Sequence, residues 1–182
     1  MIKYSTTRTL IRELTTDDSE SFAELMMDQN INRYLNPTGE SLDKNSSEIV
    51  LNHVVQNYDS TTPIFLYAVV KNDALEKVIG LVSHKRINQD EVEIFGALSP
   101  SFWGSRISNE MIIGLIEYIF TTTSFKSIII YIKQENRSAK ALAEKLGFKN
   151  NGLAYNSVFD GDVHLLNLVK TEFMNGLIVS KI

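Results

Sequence analysis

The sequence contains no cysteine, and this absence excludes several kinds of chemistry at once. Without a thiol there is no disulfide, no thiolate-ligated metal and no cysteine nucleophile, although the cellular compartment is left open. Apolar runs long enough to cross a bilayer are also lacking, and residues 1–10 carry no signal-peptide core. We therefore expect a soluble, cytoplasmic protein that does not act at a membrane.

Blocks of like charge are missing as well. Eighteen Lys and Arg residues stand against 22 Asp and Glu residues, for a formal net charge of −4. Proteins that bind nucleic acid do so through clustered basic side chains, so we expect no nucleic-acid partner, whereas a cationic substrate is tolerated. The three histidines, His53, His84 and His164, lack the spacing of metal ligands, and we expect no metal site.

The 182 residues are enough for one well-buried core and few for two, which predicts a single domain over residues 1–182. Hydrophobic periodicity predicts an α/β chain in the order strand, two helices, three strands, helix, strand, helix, two strands. The predicted sheet is mixed. It is antiparallel at both ends and has a parallel strand-helix-strand crossover at its centre.

Individual elements follow from the same patterns. A first helix carries Phe22, Leu25 and Met26, and after a turn at residues 36–39 a second helix covers 46–58, with Ile49, Val50, His53 and Val54 on one side. Later helices begin at Ile107 and cover 138–146, where Gly147 is placed for a left-handed C-cap. The predicted strands cover residues 10–14, 65–70, 78–84, 92–98, 127–133, 155–159 and 163–169, with hairpin turns at 71–73 and 160–161.

The most informative stretch runs from Glu91 to Phe120, a strand followed by a short turn built on Pro100 and Gly104 and then by a long apolar-periodic helix. The first N–H groups of a helix have no internal partner, and the aligned peptide dipoles add partial positive charge there. A glycine just before the first turn lets a ligand approach the backbone closely. The stretch therefore predicts a phosphate-binding site.

Four groups of residues resemble, in the right order, the GNAT superfamily of N-acetyltransferases, and within it the branch of the ribosomal-protein-alanine acetyltransferases. They are Arg8–Asp18 together with Asn32–Leu35, Glu93–Glu110 with its Leu98-Ser99-Pro100 and Trp103-Gly104 steps, Asn136–Ala139 through Glu144–Phe148, and Asp160–Asp162. The resemblance spans nearly the whole chain. It implies a GNAT-like fold, with a mixed but mostly antiparallel sheet, a parallel strand-helix-strand core and flanking helices.

The resemblance also implies acetyl-coenzyme A as co-substrate. We expect its pyrophosphate on the backbone of the turn, and the cofactor-binding residues implied are Leu98, Gly104, Ser105, Arg106, Ile107, Ser108, Asn109 and Asn136. The superfamily pattern Q/R-x-x-G-x-G/A falls on Ser101–Arg106, so Arg106 replaces the second glycine and Ser108 is the small residue two positions on. Arg106 either crowds the pyrophosphate or pairs with a phosphate through its planar donors.

The implied chemistry is direct transfer of an acetyl group from a thioester to an amine, which needs a base for the amine and a donor for the leaving thiolate. Many family members use a tyrosine as the donor, but that position is Ala143 here. In the branch resembled, a serine after the helix-start asparagine has this role, which Ser138 matches. Glu93 is the candidate base. The competing interpretations are that Ser138 is only a helix cap and Glu93 only a solvated strand residue.

These observations predict an N-acetyltransferase whose acceptor is a primary amine, either a protein N-terminus or a small molecule such as a polyamine. In this family acceptor choice resides in the N-terminal helices and final strands, here about residues 30–58 and 155–162. The alternative is a catalytically inactive GNAT-like protein that acts as a coenzyme A sensor or an interaction scaffold. Arg106 and the absent tyrosine favour this alternative. We expect a monomer or a homodimer.

Overall fold

The computed structural model describes residues 1–36, 38–61 and 63–179, without the side chains of Ile2 and of residues 177–179. The described residues form eight strands and six α-helices. The strands are β1 (Ile2–Ser5), β2 (Thr9–Glu13), β3 (Leu66–Lys71), β4 (Ala74–Arg86), β5 (Glu91–Leu98), β6 (Ser127–Ile132), β7 (Lys149–Asn156) and β8 (Gly161–Val169). The helices are α1 (Ser19–Met27), α2 (Gln29–Leu35), α3 (Lys44–Asn57), α4 (Ile107–Thr122), α5 (Arg137–Lys145) and α6 (Lys170–Val179).

The strand order in the sheet is β1-β2-β3-β4-β5-β6-β8-β7. Strands β1 to β3 each pair antiparallel with the next strand, and β6, β8 and β7 do the same. The pair β5 and β6 is parallel, and α4 connects the two strands in sequence. The predicted fold class is therefore confirmed: a mixed, mostly antiparallel sheet with a parallel strand-helix-strand step at its centre.

The chain divides into two compact units, residues 1–84 with 95–115, and residues 85–94 with 116–182. Strands β4 and β5 and helix α4 each contribute residues to both. The single domain expected for residues 1–182 stays a prediction.

The core of the first unit forms where α1 and α3 pack on β3 and β4, and it includes Phe22, Leu51, Val54 and Val70. Helix α3 buries Ser47, Leu51 and Val54, one helical turn apart, whereas Ile49 and Val50 are exposed. Of the four residues expected on one side of this helix, only Val54 is in the core. The polar Ser47 can be buried because its hydroxyl donates to the Asp43 carbonyl oxygen at 2.7 Å.

Strand β2 passes into α1 through a single 3-10 turn, Thr16–Asp18, and the buried carboxylate of Asp18 holds this connection together. The Arg12 guanidinium donates to both Asp18 oxygens, at 2.7 and 2.8 Å, and the Thr15 backbone N–H donates at 2.8 Å. Burial disfavours the charged carboxylate, but the hydrogen bonds from Arg12 and Thr15 outweigh it, so the pKa of Asp18 lies below its usual range.

In the second unit the Ile-rich strand β6 is central, with Ile128, Ile129 and Ile132 buried, as its continuous apolar run predicts. Gly147 ends α5 with a left-handed φ of 94°, and the Phe148 N–H donates to the Ala143 carbonyl oxygen at 3.0 Å, so the predicted C-cap is confirmed. Strand β7 lies at the edge of the sheet. Six of its eight residues are exposed, so most of its side chains face solvent and do not pack in a core.

The predicted strand over residues 155–159 is displaced, because β7 ends at Asn156 and residues 157–160 form the turn to β8. The Asn156 side-chain oxygen accepts from the N–H groups of Val158 and Phe159, at 2.9 and 3.3 Å, which starts the turn early. Asp160 completes it with a left-handed φ of 47°. Pro37, in the predicted turn at 36–39, lies outside the described residues.

Candidate functional site

The turn between β5 and α4 begins with a short 3-10 segment, Pro100–Phe102. The buried Leu98 ends the strand, and the Trp103 indole N–H donates to its carbonyl oxygen at 2.8 Å. The polar atom of Trp103 is therefore used by the last carbonyl group of the strand, while about half of the Trp103 surface, 49%, is exposed.

Two residues of the turn have left-handed backbone, Gly104 with φ of 75° and Arg106 with φ of 66°. A Cβ placed on Gly104 would meet no described atom within 4 Å, so the backbone is open to the approach of a ligand on that side. For Arg106 the same conformation is costly, because a side chain at positive φ is crowded by its own carbonyl group. The residue in the place of the second family glycine thus keeps a glycine-like backbone.

Helix α4 begins directly after Arg106, whose carbonyl oxygen accepts from the Glu110 N–H at 3.3 Å. Within the described chain, the backbone N–H groups of Arg106, Ser108 and Asn109 have no hydrogen-bond acceptor. They lie at the positive end of the helix dipole, where a phosphate is bound most readily. The Ser105 hydroxyl lies close to the Ile107 N–H, at 3.4 Å, and donates to the Phe102 carbonyl oxygen.

The Arg106 side chain is exposed and forms no salt bridge with any residue that the structure describes. The nearest acidic residue in sequence, Glu110, is already paired: its carboxylate accepts from the Arg8 side chain at 2.8 Å and from the Thr6 hydroxyl at 2.5 Å. Arg8 also donates to the Ser105 carbonyl oxygen at 2.9 Å. The sequence analysis missed Thr6 and Arg8 at this turn, because more than 90 residues separate them from it.

In the second unit, Asn136 caps α5: its side-chain oxygen accepts from the Ala139 N–H at 3.2 Å. Ser138 lies in the first turn of this helix with its side chain exposed, and its hydroxyl has no hydrogen bond within the described ranges. The interpretation of Ser138 as a helix cap is therefore wrong, since Asn136 has that role. Ala143, which the sequence resemblance places where many family members have a tyrosine, is buried.

Glu93 lies on β5 beside Ile129 of the parallel strand β6 and is half-buried. Burial raises the pKa of its carboxyl above the usual range, and the positive charge of Lys85 only partly opposes this. Burial also raises the pKa of Tyr131, and the negative charge of Glu93 adds to this shift. Glu93 is therefore not a freely solvated strand residue, and its role as a base stays a prediction.

Of the predicted site residues, the structure brings Leu98 and the 104–109 backbone together in the first unit, and Asn136 and Ser138 into one helical turn of the second. Glu93 belongs to the second unit as well. Among the residues described, no group of three or more histidines, acids or cysteines could hold a metal ion. No helix in the described ranges is long and apolar enough to cross a membrane.

Both known protein sequences and solved structures include proteins similar to this chain. The chain is 22% identical over 174 residues to an uncharacterized N-acetyltransferase p20 of Bacillus licheniformis, covering 92% of this chain and 96% of that protein. A spermidine N-acetyltransferase of Vibrio cholerae, solved with coenzyme A and spermine, has a TM-score of 0.76 at 21% identity, over 92% of this chain and 98% of that one.

A second solved structure has the same fold. It is a Salmonella typhimurium acetyltransferase that modifies the N-terminal serine of ribosomal protein L7/L12, with a TM-score of 0.76 at 14% identity, over 93% of this chain and 99% of that one. The acetyltransferase (GNAT) domain family matches residues 8–149, which is most of the sequence. The chain thus belongs to the GNAT family of acetyltransferases.

Proposed function

We propose that this protein transfers an acetyl group from acetyl-coenzyme A to a primary amine. The observation that carries the proposal is the turn before α4, where the N–H groups of Arg106, Ser108 and Asn109 are unpaired beside the open backbone of Gly104. A family that uses acetyl-coenzyme A needs a pyrophosphate site, and this turn has the donors and the space for one. The exposed Arg106 guanidinium is available to the same phosphates.

The acceptor amine must lose its proton before or during attack, and the leaving thiolate must gain one or be stabilised. Glu93 is the proposed base, because its half-buried carboxyl holds a proton more readily than a solvated one. Ser138 is the proposed donor to the thiolate, because its hydroxyl is exposed and not used by the helix. No covalent enzyme intermediate is needed, so the absence of cysteine does not oppose this chemistry.

The acceptor is proposed to be an amine of the kinds that the structural neighbours modify, a polyamine or a protein N-terminus. Both are cations at neutral pH, and the net charge of −4 does not repel them. Cytoplasmic location and the state of monomer or homodimer stay predictions.

The competing function is an inactive coenzyme A sensor or scaffold, favoured by Arg106 in place of a glycine and by the buried Ala143 in place of a tyrosine. The two functions differ in turnover. A screen of polyamines and peptide N-termini for release of coenzyme A thiol supports the enzyme if any acceptor is turned over. If the protein binds acetyl-coenzyme A but releases no coenzyme A thiol with any amine tested, the sensor is favoured.

The placement of the pyrophosphate is tested by calorimetry with acetyl-coenzyme A and coenzyme A. We expect Gly104→Val to weaken binding at least about tenfold, since a β-branched side chain at positive φ both strains the turn and blocks the open side. Gly152→Val is the matched control, because Gly152 also has positive φ, of 94°, and open space around it but lies on edge strand β7. Unchanged affinity in a folded Gly104→Val protein would contradict the placement.

A further inference from the structure

The turn between β1 and β2 contacts the candidate phosphate turn from one side. The Arg8 backbone N–H and Nε donate to the two carboxylate oxygens of Glu110, at 2.5 and 2.8 Å, and Nη1 donates to the Ser105 carbonyl oxygen at 2.9 Å. The Thr6 hydroxyl donates to the same carboxylate. Arg8 therefore binds the chain just before Arg106 and the helix just after it.

The residue between these two attachment points is the strained one. Arg106 has a left-handed φ of 66°, which a residue with a side chain keeps only when its surroundings hold it there. One carbonyl before it, at Ser105, is held by Arg8, and the helix after it is held through Glu110. The contacts of Arg8 thus restrict the segment in which the strain lies.

The packing of β1 against α4 fixes the position of this attachment. A Cβ on Gly114 would lie 2.7 Å from a ring carbon of Tyr4 and 2.9 Å from the Thr6 methyl group, so helix and strand approach closely. The Tyr4 hydroxyl also donates to the Met111 carbonyl oxygen at 3.2 Å. The segment that precedes Arg8 is therefore packed directly against helix α4.

Charge gives Arg8 a second effect. Glu110 lies in the first turn of α4, where a carboxylate would occupy the positive end of the dipole and repel a phosphate. The ion pair with Arg8 compensates that charge. About 45% of the Arg8 side chain is exposed, so the pair lies at the surface beside the turn.

We propose that Arg8 is a positioning residue for coenzyme binding, which holds the turn around Arg106 in its left-handed conformation and compensates Glu110. The proposal rests on the proposed function, because it concerns the same phosphate site. The proposal predicts that loss of Arg8 weakens coenzyme binding less when residue 106 is a glycine than when it is an arginine.

The first measurement is amide hydrogen exchange by NMR in the protein without ligand. The reporters are the N–H groups of Ser105 and Glu110, which donate within the turn at 3.3 Å each. We expect Arg8→Ala to speed their exchange about tenfold, equivalent to about 1.4 kcal/mol of lost protection. Lys77→Ala is the control, since it removes one cation from another surface ion pair of the same unit, with Glu24.

The second measurement is the affinity for coenzyme A, by calorimetry well below the melting temperature of each variant. We expect Arg8→Ala to bind about tenfold more weakly than the wild type. In the double variant Arg8→Ala/Arg106→Gly, affinity should return to within about threefold of Arg106→Gly alone, which a general loss of stability would not produce.

The outcomes separate this proposal from the function on which it rests. If the wild type binds no coenzyme, the proposed function fails, and the exchange measurement alone decides whether Arg8 holds the turn. Unchanged exchange of Ser105 and Glu110 in Arg8→Ala overturns the proposal. So does a double variant that binds as weakly as Arg8→Ala, since the charge of Arg8, and not the conformation of the turn, would then account for its effect on binding.

Discussion

Asn136, the N-cap of α5, and Ser138, in the first turn of that helix, differ in their contacts although either residue type could cap a helix. The structure assigns the cap to Asn136, which leaves the Ser138 hydroxyl exposed and available. A donor to the thiolate acts mainly in the transition state, so its loss lowers turnover without changing coenzyme affinity.

We therefore expect Ser138→Ala to reduce kcat by about 10²–10⁴-fold, the usual range for a general acid, with an unchanged melting temperature. Asn136→Ala is the contrasting variant, and it should lower the free energy of unfolding by about 1 kcal/mol. Thermal melts and turnover, measured on both variants, distinguish the tasks. A Ser138→Ala enzyme with normal kcat would show that another group protonates the thiolate.

Glu93 carries a prediction about pH. Because burial raises its pKa, the carboxyl becomes a base only above a higher pH than an ordinary glutamate, and the acidic limb of kcat/KM should be displaced upward accordingly. Glu93→Gln should abolish this limb and lower kcat/KM about 10²–10⁴-fold.

Stability gives an independent check on Glu93. A raised folded pKa means that folding favours the protonated form, so the contribution of Glu93 is present at low pH and is lost as pH rises through the folded pKa. At neutral pH the glutamine variant should therefore melt at a higher temperature than the wild type. A variant that is neither slower nor more stable would contradict the role of Glu93 as a half-buried base.

At the scale of elements, the join between β2 and α1 depends on one buried ion pair, Arg12 with Asp18. We expect Asp18→Asn to lower the free energy of unfolding by about 3 kcal/mol at pH 7, because it leaves the Arg12 charge partly buried without its partner. Asp73→Asn is the control, since it removes an exposed partner of Lys71 and should have no measurable effect.

The pH dependence of the Asp18 effect has a definite sign. Its folded pKa is depressed, so its contribution is complete above the unfolded pKa of about 3.9 and is lost as pH falls through the folded value. Denaturant unfolding at several pH values should show the wild type losing its advantage over Asp18→Asn as the solution becomes acidic. If the difference in unfolding free energy between wild type and Asp18→Asn does not depend on pH, then packing, and not the charge of Asp18, stabilises the connection between β2 and α1.

Elements with strong local signals were predictable from sequence, and those without were not. The β3–β4 hairpin, the long α4 and the Gly147 cap of α5 follow from alternation, helical periodicity and turn chemistry. The seven-residue α2 was missed, because it is too short to show a period. It is stabilised by a contact outside itself, in which the buried Asn32 amide donates to three carbonyl oxygens at the end of α1 and the start of α2.

For the whole molecule, the family and fold class were predictable because several weak motifs occur in the right order along the chain. The candidate site was predictable only as a segment. A left-handed arginine is unusual, and in the sequence only the match of Arg106 to the second glycine of the family pattern indicates its backbone conformation. The contact of Arg8 with Glu110 joins residues 102 positions apart, and it depends on the packing of β1 against α4. Local patterns carry no record of such a contact.

The exposed edge strand β7 has a consequence for the evolution of the protein. Most of its side chains contribute little to the core, so substitutions there are nearly neutral for folding, while the buried strands β3 and β6 tolerate few changes. Sequence drift should therefore accumulate along β7 and its turn at residues 157–160. Substitutions can accumulate along this edge of the sheet without loss of the fold, whereas the same changes in the buried strands would be removed by selection.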